Sequence, residues 1–321
     1  MMGVKLTADN KTDKKSINLA DYGVYFITAL IFIAFSATTK VFLSGNNITQ
    51  LLSNCASMLV VCAGMTFVII TGALDLSVGS VLLLSGMMIN LLVQAGVPAI
   101  PAILCALLAG TLIGAINGFC VMKLKANAFL VTYGTQIAIR GFALTISNNA
   151  SVYTSQGLKD TLRFQVAGMP LFILLAVLLI LTAQFVLKYT AYGRKVIAVG
   201  CNETGASKIG IRTKLVKGSV FAISGLCAAI AGLITVVNVG TCAPYTGNGI
   251  EFTGAAAILM GGTSMYGGKG SIVPGTLIGV FLLQMMENGL TILGIDPYYL
   301  SLVRGALIFI AMFVDSLKNR R

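Results

Sequence analysis

The chain has 321 residues, of which 57% are apolar and 10% are charged, and its mean hydropathy is +0.92. Because a soluble domain has about 25% charged residues, this composition excludes a soluble globular protein and indicates a polytopic membrane protein. The formal net charge of +12 does not indicate nucleic-acid binding, since the basic residues lie between apolar runs, where Lys and Arg set the orientation in a lipid bilayer.

The N-terminal segment 1–21 is polar and contains four lysines. No small-residue cleavage site follows the first apolar run, so we expect a retained first span and not a cleaved signal peptide. The apolar runs predict an all-α membrane bundle of about ten transmembrane helices. These candidate helices are 22–42, 48–71, 79–95, 98–122, 127–147, 168–187, 218–238, 251–262, 272–289 and 298–316. The predicted transmembrane domain is therefore 22–316, and 317–321 is a short tail.

The Lys and Arg residues predict the orientation of the bundle. If residue 1 lies inside, 17 of them fall on cytoplasmic segments, 3 fall on outside segments, and Arg140 and Arg304 lie within helices. The cytoplasmic set comprises four in 1–21, two in 123–126, seven in 188–217, one in 263–271 and three in 316–321. This bias predicts that both termini are cytoplasmic and that the two longest polar outside loops are 148–167 and 239–250.

The apolar stretch at 71–80 is broken by Asp75, with Ser77 and Ser80 beside it. An acid at the centre of a helix in lipid costs about 2.5–3.5 kcal/mol on insertion scales. Asp75 should therefore lie at a helix end, face a cavity or pair. Two interpretations stay open: Asp75 or Ser77 caps the helix that begins near Val78, or Asp75 lines a solute path.

A second break, 261–271, contains Thr263 and Ser264 among five glycines. Corresponding broken helices in two halves of a chain are typical of inverted-repeat transporters, so we include such a repeat in the predicted fold. We place Thr263 and Ser264 with the first-break residues as candidates for the translocation path. Asn117 joins this set, and we expect it and Asn288 to form interhelical hydrogen bonds.

The sequence predicts no catalytic residues and no metal site. The chain has no His, its seven Cys form no CxxC pair, and no pair of carboxylates has a catalytic spacing. The Gly-rich segment 267–271 is not a phosphate-binding loop, because Thr263 and Gly270 stand where that motif requires Gly and Ser or Thr. We expect its glycines to let the backbone bend.

A basic island, 188–217, holds seven of the 22 Lys and Arg but one acid, Glu203. Such a segment between two spans is typical of the cytoplasmic side and is long enough to bind another protein. Residues 202–210 predict one short helix, with Asn202 as N-cap and Gly210 just past the C-terminus. A helix of this length is unstable alone in water, so we expect it to dock on its own bundle or on a partner.

Four segments carry a resemblance to a known family. They are GMTFVIITGALDLSVGS at 64–80; Asn117-Gly118 with FLVTYGT at 129–135; YGRKVIAVGCNE at 192–203, continuing through 209–211; and GGTSMYGGKGS at 261–271 with 275–279 and 288–290. Together they resemble the permease subunits of bacterial ABC importers for monosaccharides, the ribose-type branch. The resemblance extends from about residue 45 to residue 316.

This resemblance implies an inner-membrane permease that works as a homodimer or with a paired homologous permease. It implies two further partners, a cytoplasmic ABC ATPase with tandem nucleotide-binding domains and an extracytoplasmic solute-binding protein. No cofactor is expected in this chain, because the ATPase would use ATP and Mg. The residues that would dock on the ATPase as a coupling helix are Gly193, Arg194, Gly200, Asn202 and Glu203, with Gly210 ending the helix.

We therefore expect the transmembrane subunit of an ATP-driven importer for a monosaccharide or related small polyol, with no covalent chemistry of its own. Two alternatives stay open. One is a secondary transporter driven by an ion gradient through Asp75 or Glu251, and the other is a passive channel.

Overall fold

The computed structural model describes residues 19–166 and 168–296, together with positions 299, 302, 305, 306 and 309. These residues form a helical bundle, as the apolar runs predicted. Its helices are α1 (Leu19–Thr38), α2 (Gly45–Ile70), α3 (Val78–Gln94), α4 (Ala99–Lys123), α5 (Ala128–Ile146), α6 (Gln156–Leu162), α7 (Leu171–Tyr189), α8 (Ala191–Cys201), α9 (Glu203–Lys208), α10 (Thr213–Val239), α11 (Ile250–Met260) and α12 (Leu277–Ile292). The predicted tail, most of the segment 1–21 and most of the last predicted span, 298–316, lie outside the described residues.

Nine of the predicted spans correspond to apolar helices in the described part of the chain. Six are long and apolar enough to cross a membrane: α2, α4, α5, α7, α10 and the segment Ile272–Ile292. The shorter apolar helices are Gly23–Thr38, Val78–Gln94 and Ile250–Met260. The largest boundary errors are in α1, which ends at Thr38 and not at 42, and in α10, which begins at Thr213 and not at 218.

Helix α10 is central and packs against α2, α3 and α4. Small residues at four-residue spacing on α4 allow this contact. An added Cβ at Gly114 would lie 2.2 Å from the Phe221 carbonyl oxygen, and one at Gly118 would lie 2.4 Å from the Gly218 carbonyl oxygen. Both distances are far below van der Waals contact, so these glycines are needed for the backbones of α4 and α10 to touch.

Both predicted breaks are non-helical in the structure. The first separates Ile70 from Val78, and the second separates Met260 from a π-helical turn, Ile272–Thr276, that leads into α12. Gly267 and Gly268 have φ of 87° and 76°, in the left-handed region that glycine adopts without steric cost. The expected bend at these glycines is confirmed.

The basic island is more helical than predicted. We expected one short helix in an otherwise open loop, but α8 occupies Ala191–Cys201 and α10 begins within the island at Thr213. Helix α8 forms because it is amphipathic and buries Val196 and Val199 against α2 and α7. Gly193 and Gly200, which the resemblance placed among the residues that dock on the ATPase, lie where α8 contacts neighbouring segments of its own chain.

At the opposite end of the bundle, the two polar loops are joined. Strand β1 (Val152–Tyr153) pairs with strand β4 (Thr241–Cys242), and the short β2 (Gln165–Val166) pairs with β3 (Met169–Pro170). The Arg163 guanidinium also donates to the carbonyl oxygens of the last turn of α10. The loops 148–167 and 239–250 therefore lie on the same side of the bundle, as the charge distribution predicted.

Candidate functional site

Asp75 in the first break is 1% exposed. Its Oδ1 accepts hydrogen bonds from the Ser77 backbone N–H at 3.0 Å and from the Ser77 hydroxyl at 2.6 Å. Ser77 is the N-cap residue of α3, but its own side chain caps no N–H group of the helix. In this conformation Asp75 braces the turn that leads into α3.

Neighbouring helices extend this cluster. Asn117 on α4 donates from Nδ2 to the Ser77 hydroxyl oxygen at 2.9 Å, and the Thr135 hydroxyl on α5 donates to Asn117 Oδ1 at 2.6 Å. The Ser80 hydroxyl donates to the Ser77 carbonyl oxygen at 2.8 Å. The predicted interhelical role of Asn117 is confirmed, and the cluster ties the first break to α3, α4 and α5.

One carboxylate oxygen of the cluster faces α10. Asp75 Oδ2 and the Ser224 hydroxyl on α10 are both buried, and Ser224 lies beside Asp75, where its hydroxyl can donate to the carboxylate. The two groups do not form the short, aligned hydrogen bond that Asp75 accepts from Ser77, so α10 makes the weakest polar contact with the cluster.

The second break forms a compact turn. Thr263 and Ser264 are buried, at 0% and 9% exposure. The Ser264 N–H donates to the Lys269 carbonyl oxygen at 3.0 Å, and the Ser264 hydroxyl oxygen accepts from the Tyr266 N–H at 3.2 Å. Thr263 packs over Gly270, and its hydroxyl makes no hydrogen bond among the described residues. Among the residues that the structure describes, no hydrogen bond links Thr263 to the Asp75 cluster.

The two breaks meet at the end of α8. The Gly268 N–H donates to the Ile70 carbonyl oxygen at 2.8 Å. An added Cβ at Gly200 would lie 1.8 Å from that same oxygen and 2.5 Å from the Gly268 nitrogen. Because no larger residue fits, glycine at position 200 allows three backbone segments to touch. We call Ile70, Gly200 and Gly268 the glycine junction. It connects the basic island to both breaks.

Helix α9 has the predicted caps. Asn202 Oδ1 accepts from the Gly205 N–H at 2.8 Å. At the other end the Gly210 N–H bonds the Ser207 carbonyl oxygen and the Ile211 N–H bonds the Ala206 carbonyl oxygen, each at 3.1 Å, which is a Schellman motif. The predicted N-cap and C′ glycine are confirmed.

One face of α9 packs on its own chain and the other is exposed. Ala206 is buried among Val196, Val199 and Val216, and Glu203 pairs with Lys217 at 2.5 Å. The remaining α9 side chains face outward, and Ile209 at its end is 76% exposed. A single exposed apolar residue is common on protein surfaces, so the outward face of α9 is a mainly polar surface that is free of contacts with the described residues.

The start of α8 is packed against the end of α7. An added Cβ at Gly193 would lie 2.0 Å from the Leu187 carbonyl oxygen, and the exposed Arg194 guanidinium donates to the Tyr189 carbonyl oxygen at 3.4 Å. The Tyr192 hydroxyl bonds Ser219 at 2.7 Å, and burial raises the pKa of this phenol more than that bond lowers it. Gly193 is therefore a packing residue, whereas Arg194 is accessible.

Among the cavities in the described part of the chain, two open at opposite ends of the bundle. The one at the island end has a volume of ≈ 640 Å³ and is lined by the first break at Gly72 and by Lys125, Glu203 and Lys217. The other has a volume of ≈ 440 Å³ and lies among α2, α10, α11 and α12. The second cavity could not be recognised in the sequence, because its polar side chains come from helices that are far apart in the chain.

At the end of the bundle away from the basic island, a cluster of polar side chains connects α5 with α11 and with the loop before it. Gln136 on α5 donates from Nε2 to Glu251 Oε1 at 2.6 Å, and Arg140 donates to the carbonyl oxygens of Pro244 and Thr246 at 3.1 and 3.3 Å. Glu251 is 2% exposed at the start of α11. Helix α5 thereby fixes the loop before α11. Glu251 is thus bonded by an amide, and Arg140 by backbone carbonyl oxygens.

A family model described as "Branched-chain amino acid transport system / permease component" matches residues 47–312. The D-allose transport system permease protein AlsC of Escherichia coli (strain K12) is 36% identical over 316 residues, covering 96% of this chain and 97% of that protein. The ribose import permease protein RbsC of Bacillus subtilis (strain 168) is 33% identical, with 98% and 99% covered. The xylose transport system permease protein XylH of Escherichia coli (strain K12) is 30% identical, with 96% and 94% covered. No solved structure matches the chain.

Proposed function

This chain belongs to the family of transport-system permease components, and we propose that it is the transmembrane subunit of an ATP-driven importer for a monosaccharide or related polyol. The family description names branched-chain amino acids, but relatives that match nearly the whole chain at 30–36% identity are named for D-allose, ribose and xylose. This whole-length similarity is the observation that carries the substrate class. The chain is an integral protein of the inner membrane.

The chain is a non-catalytic component, so the energy for transport comes from another subunit. A permease of an ABC importer works with an ATPase and with a binding protein that delivers the solute. We infer that the ATPase has tandem nucleotide-binding domains, that it alone holds ATP and Mg, and that two copies of the permease, or this chain and a homologue, form the transport unit.

The ATPase docks on the exposed face of α9 in our proposal. Arg194, Asn202 and Glu203 provide exposed polar groups on the island, while Gly210 ends the helix. Gly193 and Gly200 act behind this surface, because they hold α8 against α7 and against the glycine junction. Movement of α9 by the ATPase would therefore reach both breaks through α8.

The breaks form part of the translocation path in this proposal. The first contributes Asp75, Ser77 and Ser80, with Asn117 beside them, and the second contributes Thr263 and Ser264. All six are buried in this conformation, so the path through them is closed here. The buried Thr263 hydroxyl makes no hydrogen bond among the described residues and is a group that a rearranged, open state can hydrate.

We infer a topology of ten spans with both termini in the cytoplasm. Six long and three shorter apolar helices in the described residues, with the predicted span 298–316, support this count. The basic island at one end and the joined loops at the other support the orientation. The breaks after α2 and α11 support an inverted repeat.

Reconstituted transport tests the function. The permease is co-purified with its ATPase, placed in proteoliposomes, and supplied with binding protein and labelled D-ribose, D-allose, D-xylose or leucine. We expect uptake of a monosaccharide that requires ATP. Uptake of leucine alone would assign the substrate class of the family description instead. Uptake by the permease alone under a proton or sodium gradient would establish the secondary transporter, and gradient-independent equilibration would establish a channel.

A further inference from the structure

The cavity at the far end of the bundle is lined mainly by uncharged polar side chains. Its lining residues are Gln50, Asn54, Ser57, Met58, Thr235, Asn238, Val239, Gly247, Asn248, Ile250, Thr253, Gln284, Glu287, Asn288 and Thr291. Only Glu287 among them is ionisable. An amide without a hydrogen-bond partner inside a span is costly in lipid, so any amide of this lining that no other side chain bonds needs water or a polar ligand.

Regular spacing on three helices creates this lining. Gln50, Asn54 and Ser57 lie at i, i+4 and i+7 on α2, and the same spacing relates Gln284 to Asn288 and Thr291 on α12. Because residues at this spacing share a helix face, each helix presents one polar stripe. Thr235 and Asn238 on α10 add a third stripe.

Part of the lining is internally bonded. Asn54 Oδ1 accepts from Gln50 and from Asn238, each at 3.1 Å, and the Ser57 and Thr235 hydroxyls bond at 2.6 Å. In the interface of α2 with α12, Asn288 pairs reciprocally with Asn47, at 2.8 and 3.0 Å, as expected of an interhelical asparagine. These bonds hold the three stripes at fixed positions.

Two amides of the lining are free. Gln284 is half-buried on α12 and Asn248 is exposed in the loop before α11, and neither side chain makes a hydrogen bond in the part of the chain that the structure describes. Each therefore offers both a donor and an acceptor to the cavity. The neutral, donor-and-acceptor character of these groups matches a molecule with several hydroxyls, not an ion.

We propose that this cavity is a binding site within the permease for a polyhydroxylated solute, separate from the two breaks. It lies at the end of the bundle away from the basic island, where the binding protein would release its solute, so the inference rests on the proposed function. Its volume of ≈ 440 Å³ lies within the range of small-molecule sites, about 300–1,000 Å³. The free amides of Gln284 and Asn248 would contact the hydroxyls.

Substitution of Gln284 tests the site without removing an internal bond. Gln284→Met keeps the length of the side chain and deletes its amide. In proteoliposomes with ATPase and binding protein, we expect maximal uptake of the transported sugar, among D-ribose, D-allose and D-xylose, to fall about three- to tenfold, the effect of one lost hydrogen bond. ATP hydrolysis stimulated by the binding protein should persist. Asn248→Leu should act in the same direction.

A matched pair of substitutions provides the control. Thr291→Val removes a hydroxyl from the cavity lining, whereas Thr182→Val removes one from the exposed face of α7. Among the described residues, each hydroxyl donates to the carbonyl oxygen four residues earlier, that of Glu287 and that of Leu178. We expect the first to lower uptake and the second to leave it unchanged.

Three outcomes would overturn the proposed binding site. Unchanged uptake by both Gln284→Met and Asn248→Leu, in a complex that imports a sugar, overturns the cavity site alone. A fall in uptake matched by a fall in the thermal unfolding midpoint assigns Gln284 a structural role and also overturns it. A wild-type complex that imports none of the three sugars overturns the proposed function, and this inference with it.

Discussion

The Ile70 carbonyl oxygen accepts a hydrogen bond of 2.8 Å from the Gly268 N–H, which joins the end of α2 to the second break. Gly200 at the end of α8 lies against both residues. The part of the chain that we propose to contact the ATPase is thus one backbone contact away from each broken helix.

Gly200→Ala should uncouple the importer. Its Cβ would lie 1.8 Å from the Ile70 carbonyl oxygen, so α8 must move away, at a cost of about 1–3 kcal/mol. We expect ATP-dependent uptake to fall at least about tenfold, with a lower unfolding midpoint in detergent. Gly141→Ala on α5 is the control, since nothing lies within 4 Å of its added Cβ. Wild-type uptake by Gly200→Ala would contradict the junction's role.

The N-cap of α9 should be needed for assembly with the ATPase. Asn202→Ala removes the bond to the Gly205 N–H and should destabilise α9 by about 1 kcal/mol, which reduces binding about fivefold in a pull-down titration. Asn202→Asp retains the cap and should bind as wild type. If both variants bind the ATPase equally well, the preformed helix is not the docking element.

Asp75 should act through its bonds to Ser77 and not through its charge. Asp75→Asn keeps the oxygen that accepts both bonds, so we expect a wild-type unfolding midpoint and sustained uptake. Asp75→Leu leaves two buried donors unpaired, at about 1–3 kcal/mol each, and should unfold at a markedly lower temperature. If a stably folded Asp75→Asn protein lost uptake, transport would need the carboxylate itself, as expected of an ion-coupled transporter.

Arg140 should hold the loop before α11. Arg140→Met removes two hydrogen bonds from a charged donor to Pro244 and Thr246, each worth about 1.5–3 kcal/mol. We expect faster hydrogen exchange across residues 243–247 and unchanged exchange in α9. Arg140→Lys should restore part of the protection, because an ammonium reaches one carbonyl but lacks the fork that spans two. Unchanged exchange in Arg140→Met would exclude this role.

The orientation predicts opposite labelling of two exposed positions. Native Cys201 in the island is exposed, and Tyr245 in the loop at the other end is 78% exposed. In intact spheroplasts a membrane-impermeant maleimide should label a Tyr245→Cys variant, whereas Cys201 should react only after lysis. The reverse pattern would overturn the inside-positive orientation.

Much of the fold could be predicted because its signals are local. An apolar run of span length, a capping Asn202 or a Gly210 after a helix acts through neighbouring residues, and each was found where expected. Helix α8 was missed because Gly193 and Gly200 are poor helix formers. Their helical conformation is favoured by tertiary contacts. Gly193 contacts Leu187 in the preceding helix, and Gly200 contacts Ile70, which is distant in sequence.

The candidate site residues could likewise be predicted from the sequence, whereas their hydrogen-bond partners could not. The polar interruptions at Asp75 and Thr263 stand out in the sequence, because charge and glycine in an apolar run are visible without a structure. Their partners are not visible: nothing local indicates that Asn117 bonds Ser77 or that Gly268 bonds Ile70. The spacing of Gln284, Asn288 and Thr291 on one helix face is visible in the sequence. That this polar face lies opposite those of α2 and α10 across a cavity is visible only in the structure.

The sequence by itself determined the class of protein, the positions of the spans, the two breaks and the short capped helix, because composition, periodicity and capping depend on residues close together in the chain. Only the tertiary structure decided that both breaks meet the island at Gly200 and that three polar stripes enclose one cavity. Those arrangements follow from packing between distant helices, where close glycine contacts and side-chain faces become defined only once the bundle has formed.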